Sequence, residues 1–141
     1  MKLADTNILL YAVDRDGVHY DTAKSWIEDT LNSASCLALA WLALVGFVRL
    51  ATRPGILKIP LTVAEALSVQ DEWLAHPHVK IIQPGQRHAD IFARLLLTVG
   101  SAGNLTNDAH LAALAIEHHA EMVSFDRDFK RFAGLKFLHL S

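Results

Sequence analysis

Short apolar segments alternate along this chain with longer segments whose apolar positions recur at helical spacing. The short segments predict strands at residues 3–5, 36–39, 79–82, 121–124 and 136–140. The longer segments predict helices at residues 8–13, 19–31, 41–51, 63–74, 87–99 and 106–118, with one or two helical turns at 128–132. Strands that alternate with helices from end to end indicate the α/β class, with a mainly parallel sheet in a three-layer α/β/α sandwich.

Local signals support these boundaries. Thr62 and Glu65 have the spacing of a capping box, which predicts a helix start at this point. Residues 100–104 are predicted as a loop that separates the last two long helices. The chain has no internal repeat or linker composition, so we expect residues 1–141 to form a single domain.

The composition limits the classes of protein to consider. Hydrophobic residues make up 52% of the chain, so part of the apolar surface is expected to be covered by a dimer partner or another protein. The longest apolar run, residues 37–48, is well short of the roughly 20 residues that span a bilayer. Cys36 is the only cysteine and the first residues do not have the pattern of a signal peptide, so a cytoplasmic location is expected.

Three aspartates stand where strands or loops lead into helices. Asp5 follows the first predicted strand, Asp126 follows the strand at 121–124, and Asp108 falls in the first turn of the helix at 106–118. Because the carboxyl ends of parallel strands meet at one edge of a sheet, these acids are expected to converge, with Asp128 close by. Clustered carboxylates favour a hard divalent cation such as Mg²⁺ or Mn²⁺.

Structural roles for the same acids remain open. Asp108 also suits the positive end of a helix dipole. Asp126 and Asp128 are common residue types in turns and at helix N-caps. Asp5 is the hardest to explain in this way, because it directly follows a buried strand.

Three segments resemble those of a known family. They are residues 5–10 (DTNILL), 107–115 (NDAHLAALA) and 123–129 (VSFDRDF), and they occur in the family's order near both ends of the chain. On these motifs the chain resembles a PIN-domain ribonuclease of the VapC toxin type, from VapBC toxin–antitoxin systems. No single motif is specific, but all three in this order are.

The resemblance implies a fold, an activity and partners. The fold would be a PIN-like sandwich, and the activity Mg²⁺-dependent endonucleolytic cleavage of structured RNA, such as tRNA or rRNA, by metal-activated water. Asp5, Asp108 and Asp126 fall on the family's catalytic, metal-binding positions, and Asp128 on a position that is often acidic. One or two Mg²⁺ ions, with Mn²⁺ as the alternative, are implied, together with a VapB-like antitoxin and a homodimer.

One position departs from the family pattern. Many members carry a glutamate three residues before an arginine on the helix after the second strand, whereas here Gly46 precedes Arg49. The segment is more similar to a sub-branch with Trp41, Leu44 and Phe47 at these spacings. The missing acid implies a weaker second metal site, one ion with more water ligands, or an inactive relative. Since the other acids are intact, we expect activity.

Polar and basic neighbours complete the predicted site. Thr6, Asn7 and Ser124 are expected to hydrogen-bond an acid, a water or the scissile phosphate, although each also suits a cap or turn. The net charge is −2, so RNA binding requires local groups of basic residues. One candidate group consists of Arg49, Arg53 and Lys58, and the other of Arg127, Lys130 and Arg131.

Two other functions compete with the nuclease. A haloacid-dehalogenase-like phosphohydrolase would use Asp5 as nucleophile, but that family has a second aspartate where Asn7 stands. A non-catalytic binding module on a PIN fold is suggested by Gly46. None of the eight histidines has zinc-site spacing, and no catalytic histidine is assigned.

Overall fold

A five-stranded sheet forms the centre of the computed structural model, which describes residues 1–100 and 102–141. The strands are β1 (Lys2–Ala4), β2 (Leu37–Leu39), β3 (Val79–Ile81), β4 (Glu121–Ser124) and β5 (Phe137–His139). They lie in the order β3-β2-β1-β4-β5, and every adjacent pair is parallel. Leu3 in the central strand pairs with Ala38 on one side and Met122 on the other.

Six α-helices connect the strands. They are α1 (Thr6–Tyr11), α2 (Tyr20–Leu31), α3 (Trp41–Ala51), α4 (Val63–Ala75), α5 (His88–Val99) and α6 (Thr106–Glu117). Short 3₁₀ helices occupy Gly103–Leu105 and Arg127–Arg131. The described part of the chain contains no helix long and apolar enough to cross a membrane.

The predicted α/β/α sandwich is confirmed, and element ends differ from the sequence prediction by one or two residues. The largest difference is at α1, which begins at Thr6 because Asp5 acts as its N-cap. The capping box at Thr62 and Glu65 is present in full. Of the predicted loop at 100–104, Ser101 lies outside the described residues and the 3₁₀ helix at Gly103–Leu105 takes up the end.

Both faces of the sheet are buried, which makes the fold three layers deep. Successive residues of a strand point to opposite faces, and accordingly Leu3 and Met122 pack in one apolar cluster whereas Ala4 and Val123 pack in the other. The first cluster lies under α5 and α6, and the second lies under α1 to α4. Continuous apolar strands are therefore expected here, since neither face is open to water.

The chain order of the strands explains where the polar residues gather. From β1 the chain builds outwards through β2 and β3, and then returns to add β4 and β5 on the other side of β1. The strand order therefore reverses between β1 and β4, and ligands of open α/β sheets bind outside the carboxyl ends of strands at such a point. Asp5 follows β1 directly and donates its backbone N–H to the Val123 carbonyl oxygen of β4, at 3.0 Å.

Candidate metal centre

Three carboxylates meet at the carboxyl end of β4. One oxygen from each of Asp108, Asp126 and Asp128 lies within 4.8 Å of the others. Asp126 is the N-cap of the 3₁₀ helix at Arg127–Arg131, and its Oδ1 accepts the Asp128 N–H at 2.9 Å. Asp108 reaches the same point from the first turn of α6. The sequence therefore correctly predicted that acids from distant segments converge here.

Asp5 lies beside this group rather than within it. Its side chain is only 8% exposed, Oδ1 accepts the Thr6 N–H at 2.7 Å and Oδ2 accepts the Ser124 hydroxyl at 2.6 Å. Burial raises the pKa of the Asp5 carboxyl, the two hydrogen bonds oppose that rise, and the charge of Asp126 adds to it. Asp5 is thus electrostatically linked to the acid group while its own oxygens are held by α1 and β4.

The Ser124 hydroxyl joins four parts of the site. It is fully buried, donates to Asp5, and accepts from the Asn7 Nδ2 at 3.1 Å and from the Asp126 N–H at 2.9 Å. A hydroxyl has one proton to donate and two lone pairs to accept, so its capacity is filled by protein groups. Of the roles predicted for Ser124, the geometry favours a hydrogen bond to an acid. It leaves the hydroxyl no capacity for a direct bond to a phosphate.

Asn7 supports the same network from α1. Besides donating to Ser124, its side chain accepts the Phe125 N–H through Oδ1 at 3.3 Å. In a dehalogenase-like site a second aspartate would stand at this position. Here Asn7 instead links α1 to the end of β4. Its side chain orients the strand end that bears Asp126.

Thr6 and Gly46 lie against each other between α1 and α3. A Cβ atom placed on Gly46 would stand 3.2 Å from Thr6 Cγ2 and 3.3 Å from Thr6 Oγ1, which is closer than ordinary van der Waals contact. The Thr6 side chain on α1 thus occupies the space beside position 46, where many family members carry a glutamate. A side chain at position 46 would therefore have to displace the Thr6 side chain by a few tenths of an ångström.

Arg49 makes no direct contact of ion-pair length with the acids in the described residues. It is exposed in the last turn of α3, and it forms no ion pair within residues 1–100 and 102–141. It is three residues from Gly46, which places the two on neighbouring positions of one helix face. The structure therefore leaves Arg49 free to meet an anion approaching the site from outside.

Burial and the charges of neighbouring acids both disfavour the ionised form of Asp108. The pKa of the Asp108 carboxyl is raised from 3.8 to about 7, first by burial and then by the charges of Asp5, Asp126 and Asp128. Carboxylate oxygens are the ligands that Mg²⁺ and Mn²⁺ prefer. The donor set and its repulsion therefore fit a divalent cation, with Asp108, Asp126 and Asp128 as the group able to hold it.

Sequence reasoning missed two groups of rings. His88 and His110 approach to 3.1 Å between Nε2 and Nδ1, Phe92 stacks on His88, and burial lowers the pKa of both imidazoles. This pair lies between α5 and α6, where no sequence spacing linked the two residues. The second group is formed by Tyr11, His19 and Phe125, the last of which directly precedes Asp126 in the chain. One signal was available for it, because Phe125 stands between Ser124 and Asp126.

Comparison with known proteins finds relatives that match nearly the whole chain. A family profile described as PIN domain matches residues 2–135. Ribonuclease VapC37 of Mycobacterium tuberculosis is 46% identical over 136 residues, which is 96% of this chain and 94% of the relative. A chain from the structure of VapBC2 of Rickettsia felis bound to a promoter DNA fragment has a similar fold, with a TM-score of 0.74 and 21% sequence identity. The match covers 99% of this chain and 98% of that chain.

A second solved structure has the same fold and a stated target. It is VapC20 of Mycobacterium tuberculosis, described as a toxin that cleaves the sarcin–ricin loop, with a TM-score of 0.69 and 14% identity over 96% of this chain and 99% of the other. The profile spans nearly the whole chain, and the 46% identity to VapC37 extends over the same length. The chain therefore belongs to the PIN-domain family, in the branch of the VapC ribonucleases.

Proposed function

We propose that this protein is the toxin of a VapBC-type pair and that it cleaves RNA endonucleolytically with Mg²⁺, or Mn²⁺ in its place. The observation that carries the proposal is the convergence of Asp108, Asp126 and Asp128 to within 4.8 Å at the switch point of the sheet. The 46% identity to a protein named a ribonuclease supports the same reaction.

The acids divide into two roles in this proposal. Asp108, Asp126 and Asp128 hold the ion, with one or two ions bound in all, and Asp5 completes the catalytic set from its buried position. When bound, the divalent ion supplies Lewis-acid stabilisation of the phosphodiester and lowers the pKa of an attacking water. Ser124 and the Thr6 N–H keep the Asp5 carboxylate turned towards the acid group. Asn7 keeps the Asp126 strand end in place through Ser124 and Phe125.

The substrate we propose is structured RNA, such as tRNA or rRNA. The structural relative VapC20 is described as cleaving the sarcin–ricin loop, which is structured RNA. Two exposed basic groups on this chain suit phosphate contacts, and they are Arg49, Arg53 and Lys58, and Arg127, Lys130 and Arg131. The second group adjoins Asp126, so an RNA backbone held there would pass the acids.

The partners we propose are a VapB-like antitoxin and a second copy of the chain. The similar structure from Rickettsia felis is described as a VapBC complex. Trp41 and Val45 are exposed one turn apart on α3, and Leu97 is exposed on α5, which is apolar surface that a protein partner would cover. A cytoplasmic location and a single-domain organisation complete the proposal.

Mapping of RNA ends tests the activity directly. Total RNA incubated with the purified protein and Mg²⁺ should show new 5′ ends at a small number of positions. Asp126→Asn should produce none of them, and EDTA should suppress them in the unaltered protein. The same end pattern from Asp126→Asn would refute the assignment.

A non-catalytic PIN-fold binding module is the second candidate, and Gly46 is the observation that favours it. Calorimetry with Mn²⁺ separates the two functions, because a nuclease must bind the ion at its acid group. Binding that is lost in Asp108→Asn supports the nuclease. Absence of Mn²⁺ binding together with absence of new RNA ends would favour the binding module.

A further inference from the structure

The rings of Tyr11, His19 and Phe125 form a cluster, which we name the aromatic cluster. The ring centroids of His19 and Phe125 are 4.6 Å apart, those of Tyr11 and His19 are 5.0 Å apart, and those of Tyr11 and Phe125 are 5.1 Å apart. Each ring therefore touches the other two. The residues come from three separate segments, so the cluster is a product of the fold.

The cluster is tied to the acids by the backbone and by Asn7. Phe125 lies between Ser124, which holds Asp5, and Asp126. The Phe125 N–H donates to the Asn7 side chain, and Tyr11 is four residues after Asn7, one turn further along the same face of α1. The cluster is therefore joined to the strand end that carries Asp126 through the Phe125 backbone and the Asn7 side chain.

The cluster is open to solvent and carries unused polar groups. Its three side chains are only partly buried, and within residues 1–100 and 102–141 neither the His19 ring nitrogens nor the Tyr11 hydroxyl has a hydrogen-bond partner. Arg15 and Arg127 are exposed on the segments next to the cluster. Aromatic faces between positive charges, with free donors and acceptors at their edges, match the chemistry of an unpaired nucleotide.

We propose that the aromatic cluster binds the base of an unpaired ribonucleotide next to the phosphodiester that is cleaved. The inference rests on the proposed function and specifies its substrate, since it requires that the cut RNA presents an unstacked base in a loop or a single strand. Proteins that read RNA sequence bind such bases by stacking on aromatic side chains and by hydrogen bonds to their edges. The His19 ring nitrogens supply those hydrogen bonds and select among bases.

A purely structural role for the rings is the competing explanation. Phe125 also packs against the apolar cluster under α1 to α4, so its loss can weaken the fold. Leucine at position 125 preserves most of this apolar contact but removes the stacking face. Tyrosine at the same position keeps the face, so the two variants separate stacking from packing.

The experiment measures base stacking without cleavage. Asp108→Asn serves as the background, because Asp108 lies on α6, outside the aromatic cluster. The probes are a single-stranded 12-nucleotide RNA of mixed sequence with one 2-aminopurine, and the same RNA with an abasic residue at that position, both in Mg²⁺. Fluorescence quenching reports stacking, and anisotropy gives the dissociation constants.

The background protein should quench the 2-aminopurine and bind the abasic RNA more weakly, by roughly 5- to 150-fold on the scale of one stacked base. Phe125→Leu and Tyr11→Leu should abolish quenching and reduce that difference to about onefold, whereas Phe125→Tyr should retain both. Phe92→Leu is the matched control, because Phe92 is also half-buried against a histidine ring but lies on α5.

Several results would overturn the inference. They are absence of quenching by the background protein, base discrimination that persists in Phe125→Leu with its melting temperature unchanged, and an equal loss in Phe92→Leu. These binding results are independent of RNA cleavage. If the protein cleaves RNA but does not stack the base, the proposed function stands and the aromatic-cluster inference is wrong. If it stacks the base but never cleaves RNA, the proposed function is wrong.

Discussion

The Ser124 hydroxyl lies 2.6 Å from Oδ2 of Asp5, although 119 positions of sequence separate the two residues. The contact is fully buried, and the same hydroxyl accepts hydrogen bonds from Asn7 and from the Asp126 backbone. A single oxygen atom thus connects β1, α1, β4 and the loop that bears Asp126. The relative positions of Asp5 and Asp126 depend on this oxygen.

Ser124→Ala should reduce RNA cleavage by at least about tenfold and destabilise the fold by about 1–3 kcal/mol. The variant removes the Ser124 partner of the buried Asp5 Oδ2, of the Asn7 Nδ2 and of the Asp126 N–H. Urea unfolding and single-turnover cleavage measure the two effects. Ser33→Ala, which removes an exposed turn hydroxyl that donates to the Thr30 carbonyl and accepts the Ser35 N–H, is the control and should change neither quantity much. An active, fully stable Ser124→Ala protein would contradict the role of this hydroxyl.

Asp5→Asn should abolish RNA cleavage while the fold survives. An asparagine keeps the size of the side chain and an oxygen that accepts from Ser124, but it removes the negative charge next to the acid group. Circular dichroism should therefore be unchanged, and cleavage of total RNA should fall below detection. Full cleavage by this variant would exclude Asp5 from the catalytic set.

The stability of the metal-free protein should fall as pH rises from 3.8 to about 7. The reason is that folding raises the pKa of Asp108, so the unfolded chain loses this proton at a lower pH than the folded chain does. Between the two pKa values the folded protein must hold a proton that the unfolded chain has released, so the free energy of unfolding decreases until the folded protein is also deprotonated. Urea unfolding in EDTA at a series of pH values measures the slope. Asp108→Asn should remove this component, and exposed Asp71→Asn should not.

Saturating Mg²⁺ should reverse that decline at neutral pH. A cation that binds only the folded, ionised acid group stabilises the folded state by mass action. The gain should be seen in the unaltered protein and be much smaller in Asp108→Asn. An identical gain in both proteins would place ion binding elsewhere.

The sequence predicts the architecture well because both faces of the sheet are buried. Runs such as Leu37–Leu39 therefore contain no polar residue, and the helices between them have clear apolar faces. The gathering of acids at one edge of the sheet was also predictable, since Asp5 and Asp126 follow the ends of neighbouring strands. Resemblance to the family added RNA as the substrate, which the acids alone do not specify.

The details that the sequence did not predict depend on distances between distant residues. Asp5 stays a predicted metal ligand, but the sequence did not show that its two oxygens accept hydrogen bonds from Ser124 and Thr6, nor that Asp108, Asp126 and Asp128 form the closest acid group. The aromatic cluster was missed for the same reason, because Tyr11, His19 and Phe125 share no spacing pattern. Contacts of this kind arise from packing and have no signature in one segment.

Whether Gly46→Ala stabilises or destabilises the protein should depend on the residue at position 6. In a helix interior alanine is favoured over glycine by about 1 kcal/mol, but here the new Cβ would press on Thr6 Cγ2 and Oγ1 at 3.2 and 3.3 Å. In the unaltered background we therefore expect no gain or a net loss. In a Thr6→Ala background, which lacks both atoms, the same change should stabilise the protein by about 1 kcal/mol. Urea unfolding of the four proteins gives the coupling between the two positions, and equal effects in both backgrounds would show that Gly46 is not held to glycine by Thr6.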